Sequence, residues 1–220
     1  MRIIDADGHV AENASLTGEA LRRWPDRVRL TTRGRPHLMI EGRHYPQDNG
    51  PGAGCPPQHG ISKAPGINCA TADGVLADAD RDHLDTMVLY PSVGLCVPSL
   101  EDPAFAAGFA RLYNEWIADF CAPTNGRLRG VGVTPIEHGQ VAIDIMKEAN
   151  ELGLVATLVP PALKSRTLTM LTWIRSTPPP SSRGCRWEFT APPVCTCPKS
   201  AWTASPTTSR CTASASLSTR

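Results

Sequence analysis

The chain has 220 residues, 41% hydrophobic and 20% charged, with a net charge of +1. That is an ordinary globular average: it excludes a fibrous or wholly disordered chain, and the balanced charge offers no bulk attraction for nucleic acid or an anionic membrane. The length suits one domain with a sizeable core rather than two. The average conceals a split. Residues 1–162 hold 20 Asp and Glu against 14 Lys and Arg, whereas residues 163–220 hold 8 Lys and Arg against one acid, Glu188. The second stretch also carries 10 Ser, 11 Thr, 7 Pro and four of the eight cysteines, so only the first has the composition of a folded domain.

No apolar segment with a small-residue cleavage site follows Met1, and no apolar run approaches the ~18 residues a spanning helix needs. A cytoplasmic protein outside the membrane is expected. Cys55, Cys69, Cys96 and Cys121 stand singly, which fits reduced thiols better than a disulfide framework.

In chain order, Arg2 to Asp7 begins apolar and β-branched and turns polar at Asp7-Gly8-His9. This predicts a short buried strand with functional groups at its carboxyl end. An irregular stretch follows to about residue 75. Its Pro/Gly-rich part, Tyr45 to Gly66, reads as a loop or flap, and Arg33-Gly34-Arg35 suggests a small hairpin. Val75 to Asp85 predicts a polar helix, and Thr86 to Tyr90 an apolar strand stopped by Pro91. Asp102 is an N-cap and Pro103 a first-turn proline, ahead of a helix with Phe105, Phe109, Leu112, Trp116 and Phe120 on one face and Pro123 at its end. Leu128 to Val133 is a third strand whose glycines let a helix sit close. Val141, Ile145, Ala149 and Leu152 stripe the next helix, which Gly153 closes, and Leu154 to Val159 is a fourth strand.

Strand–helix units that repeat with long crossovers imply an α/β fold with a parallel sheet. Periodicity fits half a (β/α)8 barrel as well as an open doubly wound sheet. No G-x-G-x-x-G follows the first strand to favour a dinucleotide fold.

Asp7 and His9 are the informative residues. Two apart on a strand, their side chains face the same side. A carboxylate oxygen and a neutral imidazole nitrogen suit Zn2+ or another divalent metal, and the carboxyl end of a parallel strand is where barrel active sites form. On spacing alone, an Asp capping a turn beside a hydrogen-bonded His is the commoner meaning. Tyr90 and Ser92 end the second strand on the same face and are candidates for lining a substrate pocket, with strand-end packing and a turn as the equal alternative. Glu12 reads as a surface carboxylate in preference to an outer ligand. His37, His44, His59, His83 and His138 form no ligand pattern, and solvated roles are expected for His83 and His138.

The run Ile4-Asp5-Ala6-Asp7-Gly8-His9-Val10-Ala11-Glu12 resembles the first strand of the amidohydrolase superfamily, in the branch of aminocarboxymuconate-semialdehyde-decarboxylase-like enzymes. Asp80 ahead of Val88-Leu89-Tyr90-Pro91-Ser92, the Tyr113-Asn114-Glu115-Trp116 helix, Arg127 to Val131 and Glu151-Leu152-Gly153 resemble later family motifs in the right order. The resemblance implies a (β/α)8 barrel in which Asp7 and His9 are the first two metal ligands, a His from the fifth strand and an Asp from the eighth completing the site. It also implies hydrolysis or non-oxidative decarboxylation of a small organic acid. Asp7 departs from the family's His-x-His and leaves the metal's identity open. A small-molecule substrate and a homo-oligomeric parent protein are the partners expected.

Past Leu168, where the barrel pattern calls for a fifth strand, the chain has no helical or strand period. Each codon boundary spells a second triplet, from the last base of one codon and the first two of the next. Because Trp has one codon, Trp173–Ile174 forces Asp, Trp187–Glu188 forces Gly and Trp202–Thr203 forces Asp. Phe189–Thr190, Cys195–Thr196 and Cys211–Thr212 allow only His or Tyr. Free bases chosen with the family in mind complete an Ala-rich helix and a strand ending Gly-Ile-His, the place of the third ligand. The expected organisation is therefore residues 1–168 as the N-terminal part of the barrel, truncated after about four strands with a flap at about 30–70, and residues 169–220 as a disordered, frameshifted tail. Such a half barrel is expected to be inactive and prone to aggregate. The competing expectation is a non-enzymatic α/β protein whose basic tail binds an acidic partner.

Overall fold

The computed structural model describes residues 2–31, 37–45 and 70–160. The expected tail lies outside them, as do residues 46–69 of the flap. Strand β1 (Ile4–His9) leads into helix α1 (Ala14–Arg23), which falls inside the stretch expected to be irregular. Asn13 starts this helix: its Oδ1 accepts from the Ser15 N–H at 3.1 Å and the Leu16 N–H at 3.4 Å. Leu16 and Ala20 form its buried face.

Three short strands follow, β2 (Val28–Thr31), β3 (His37–Ile40) and β4 (Arg43–Tyr45), paired antiparallel in that order. The loop around Arg33-Gly34-Arg35 that joins β2 to β3 is outside the described residues, but the pairing Thr31 to His37 fits the expected hairpin. A second hairpin lies where the flap was expected. Glu41 and Gly42 turn β3 into β4 with φ of 50° and 78°, the two-residue left-handed turn that matches the twist of a hairpin.

Helix α2 (Ala72–Arg81) starts earlier than its apolar residues suggest, because Thr71 Oγ1 accepts the Gly74 N–H at 3.2 Å and caps it. It also ends sooner, so His83 sits past the helix in a left-handed turn with φ 57°. Strand β5 (Thr86–Tyr90) has its expected bounds and feeds a 3-10 segment, Val93–Ser99. Helix α3 (Pro103–Cys121) is capped by Asp102, whose Oδ1 accepts the Ala104 and Phe105 N–H groups at 2.9 and 3.0 Å. It stops at Cys121, and Pro123 lies in the 3-10 turn that follows. Strand β6 (Leu128–Val133), helix α4 (Gln140–Glu151) and strand β7 (Ala156–Leu158) complete the described chain. Leu152 is not part of the buried stripe of α4. It lies beyond the helix end and is 41% exposed, while Gly153 at φ 80° turns the chain as expected.

The main sheet has the order β1-β5-β6-β7, all neighbours parallel. This is the expected parallel α/β architecture. Among the described residues, β1 pairs only with β5 and β7 only with β6, so both outer edges are open, and Ile3 and Ile4 are 46% and 59% exposed on the first of them.

Helix α3 is the centre of the core. Phe109, Tyr113 and Ile117 have no exposed surface, and Trp24 packs edge-on against Phe105 with ring centroids 5.2 Å apart. Burying an aliphatic or aromatic side chain of this size contributes about 1.5–3 kcal/mol. The glycines of β6 set how close α3 can come. A Cβ on Gly130 would lie 2.7 Å from Ile117 Cγ1. Gly130→Ala is therefore expected to destabilise the fold by about 1–3 kcal/mol in urea unfolding. Gly18→Ala, exposed in α1 with nothing within 4 Å of an added Cβ, should instead stabilise it by about 0.5–1 kcal/mol. Equal effects of the two substitutions would contradict this packing.

Candidate functional site

The candidate site forms where β1 ends against the segment after β5. Their pairing matches Ile4 with Thr86 and Asp5 with Met87, then Gly8 with Leu89 and His9 with Tyr90. One extra residue of β1 is thus accommodated between Asp5 and Gly8, and Asp5 Oδ1 accepts the Asp7 N–H at 3.0 Å within this bulge. Simple alternation does not carry across a bulge. Gly8 is what orients its neighbours: it is buried, and a Cβ there would lie 3.1 Å from the Val88 carbonyl oxygen and 3.2 Å from Leu89 Cδ2. Asp7 and His9 on either side of it are both exposed.

Five contacts bolt the end of β1 to residues 90–94. The Val10 N–H donates to the Tyr90 carbonyl at 3.0 Å, and Ser92 Oγ donates to the Val10 carbonyl at 2.9 Å. Glu12 Oε1 accepts the N–H groups of Ser92 and Gly94, each at 2.9 Å. His9 Nδ1 lies 3.1 Å from the Pro91 carbonyl oxygen. A carbonyl only accepts, so Nδ1 carries the hydrogen and, in the neutral ring, Nε2 carries the lone pair.

Tyr90 is buried, its ring centroid 6.1 Å from that of His9. Ser92 is half-buried, with its hydroxyl committed to Val10. The structure therefore gathers Asp7, His9, Tyr90 and Ser92 at one end of two adjacent parallel strands. Asp7 and His9 supply two donors of the kind a divalent cation accepts. Among the described residues no group of three or more His, Cys, Asp or Glu side chains is arranged to hold a metal.

Glu12 overturns the expectation of a surface carboxylate. Its carboxyl group is buried, and Oε2 has no partner among the described residues. Burial pushes its pKa above the ordinary 4.5, against the lowering effect of backbone N–H groups at Val93, Gly94, Glu12 itself and Ser92. The Tyr113 hydroxyl is also buried, with no partner among the described residues, and Cys96 is fully buried. Burial raises both groups' pKa values well above normal, with the Glu12 charge adding to each. The sequence signal was slight: an acid three residues past a polar strand end.

His138 is likewise not solvated. It is half-buried, with Nε2 2.9 Å from the Leu100 carbonyl oxygen. A polar cavity of about 330 Å³ lies apart from the candidate site, lined by Arg27, Glu41, Arg43, Tyr45, Ser99, Glu101 and Asp102. Its charges are already matched internally, Arg27 with Asp102 at 2.7 Å and Glu41 at 3.3 Å, and Arg43 with Glu101 at 3.9 Å.

The fold has relatives among solved structures. An amidohydrolase from Mycobacterium avium subsp. paratuberculosis K-10 superposes with a TM-score of 0.52 at 16% identity, over 73% of this chain and 50% of that one. The apo form of an enzyme named IDCase from Metarhizium anisopliae gives 0.52 at 16% identity, over 79% and 46%. A dihydroxybenzoic acid decarboxylase from Polaromonas sp. JS666, with bound manganese and an inhibitor, is a looser likeness at 0.41 and 19% identity, over 73% and 39%. No family model and no curated protein matches the chain. The first two likenesses establish the fold as that of amidohydrolase structures. This chain spans about half the length of the structures it matches.

A raised carboxyl pKa makes stability depend on pH. The folded state binds the Glu12 proton more tightly than the unfolded chain does. The stabilisation this proton provides is complete below the ordinary 4.5 and is lost as pH rises through the raised folded value. Glu12→Gln cannot titrate. In denaturant unfolding followed across pH, wild type is expected to lose stability relative to Glu12→Gln from about pH 4.5 upward. A difference independent of pH would contradict a buried, raised carboxyl.

Proposed function

We propose that residues 1–168 are the N-terminal part of a metal-dependent, amidohydrolase-related barrel enzyme, and that residues 169–220 are translated out of frame. The observation that carries this reading is the pair Asp7 and His9. Both side chains are exposed at the carboxyl end of the first strand of a parallel sheet that superposes on amidohydrolase structures. Barrel enzymes build their active sites at that end of their strands.

A carboxylate and an imidazole Nε2 freed by the Nδ1 contact to Pro91 are suitable oxygen and nitrogen ligands for zinc or a similar cation. They would form one side of the site; no third donor joins them among the described residues, and the family resemblance implies a His and an Asp from later strands of the complete protein. When bound, such a metal acts as a Lewis acid that polarises a substrate carboxylate or lowers the pKa of a water. Asp7 contributes anionic charge that holds the cation, and Pro91 keeps His9 in the tautomer that can bind it. Tyr90, beside His9, walls the side on which a small organic acid would approach. Hydrolysis or non-oxidative decarboxylation of such an acid in the cytoplasm is the activity we assign to the complete protein. With Asp7 and His9 as its two donors among the described residues, the 220-residue chain is expected to be inactive.

Cobalt(II) titration followed by visible absorption tests the site in the chain as it stands. Losing an outer partner of a metal ligand typically costs 10–100-fold in affinity, so removing a direct ligand should cost at least about tenfold. Asp7→Ala and His9→Ala are each expected to weaken binding by that factor or more. Titrations indistinguishable from wild type would remove the metal role from both residues.

A further inference from the structure

We propose that Glu12 is a positioning residue for His9. It acts through the backbone of residues 91–94 to fix which imidazole nitrogen faces the site. The inference rests on the reading of His9 as a metal ligand and extends it to a residue that touches neither metal nor substrate.

The path is short and continuous. Glu12 Oε1 accepts two N–H groups, from Ser92 and Gly94, at 2.9 Å each. Those amides flank the turn that leaves β5 at Pro91, and the Pro91 carbonyl is the partner of His9 Nδ1 at 3.1 Å. The Pro91 carbonyl has little freedom while the amide one residue later is held. Ser92 is held twice, by its N–H on Glu12 and by its hydroxyl on the Val10 carbonyl. Gly94 cannot shift inward either, since even an added Cβ would lie 2.9 Å from Pro91 Cβ and 3.1 Å from Tyr113 Cδ2. The turn is thus clamped between one acceptor and one packed wall.

A surface glutamate would serve the fold at lower cost. Burying a carboxyl group is unfavourable unless its hydrogen bonds are made, and here Oε2 has no partner while Oε1 takes both donors. The acceptor atom, rather than the charge, is what the turn uses. Among the described residues, the titratable groups Tyr113 and Cys96 feel the Glu12 charge.

The test compares Glu12→Met, which keeps volume and removes the acceptor, with Glu12→Gln, which keeps a carbonyl acceptor. Two readouts are used on the full 220-residue chain: the His9 tautomer from 15N chemical shifts of the labelled imidazole without metal, and affinity for zinc alone. Wild type and Glu12→Gln are expected to hold His9 with hydrogen on Nδ1. Glu12→Met should give a mixture of tautomers and a 10–100-fold loss in zinc affinity, the usual cost of losing support for a ligand. Glu12→Met that folds as wild type does, with the Nδ1–H tautomer intact, overturns the proposal. If Glu12→Met fails to fold, wild type still decides, since a mixed or Nε2–H tautomer there overturns it too. A tautomer governed by Glu12 in a chain whose His9 has no part in zinc binding would sustain the positioning role while sinking the metal reading. Zinc binding through His9 with a tautomer indifferent to Glu12 would do the reverse.

Discussion

A parallel sheet must satisfy the backbone of its two outer strands, and that requirement bears on every element packed around this one. Strand β1 receives hydrogen bonds from β5 along one edge only, and β7 from β6 along one edge only, among the described residues. Open strand edges invite pairing with other chains, and proteins normally cover, charge or close them. Barrels close them. Four parallel strands in the order β1-β5-β6-β7, overlaying about half of two longer amidohydrolase-fold structures, are what a barrel looks like before closure. The exposed Ile3 and Ile4 at the start of β1 are apolar side chains of the kind a neighbouring element covers.

Because β1 is an outer strand among the described residues, the contacts that hold its carboxyl end matter more than they would inside a sheet. They come from the chain that follows β5 rather than from a second neighbour. The same logic extends through helix α3. Buried Asn114 donates its side-chain N–H to the Val133 carbonyl at 3.1 Å and accepts the Val133 N–H at 2.8 Å, finishing β6. Trp116 Nε1 donates to Asn13 Oδ1 at 3.1 Å, tying α3 to the cap of α1. Tyr113 packs under Gly94. One Tyr-Asn-x-Trp turn of helix thereby braces the ends of the strands at the site, a physical reason for the motif that marked the resemblance.

The sequence was most legible where one local rule had no competitor. Pro91 ends β5, and the alternating glycines and valines of β6 could be little else, so both strands have their expected bounds. Asp102 and Pro103 start α3 for the same reason. Legibility failed where tertiary contacts decide. Helix α1 carries Asn13, Leu16 and Ala20 at helical spacing, but its few apolar residues were lost among polar ones. Leu152 matches the stripe of α4 yet falls just past the end of the helix, where periodicity no longer governs which side is buried. Glu12 is not legible because residue type predicts exposure, and only the fold reveals two amides aimed at it. Asp7 and His9 do stand together, though a buried Gly8 within a bulge, not plain alternation, is what turns them outward.

The proposed loss of frame after β7 can be checked in the gene itself, by sequencing through the codons for Ala162 to Thr172 and beyond the stop. One additional base is expected near the codons for Leu168 and Thr169, after which the frame would run on through a strand ending Gly-Ile-His toward a late Asp. A gene that reads as this chain does, with no such base, would overturn the proposed loss of frame.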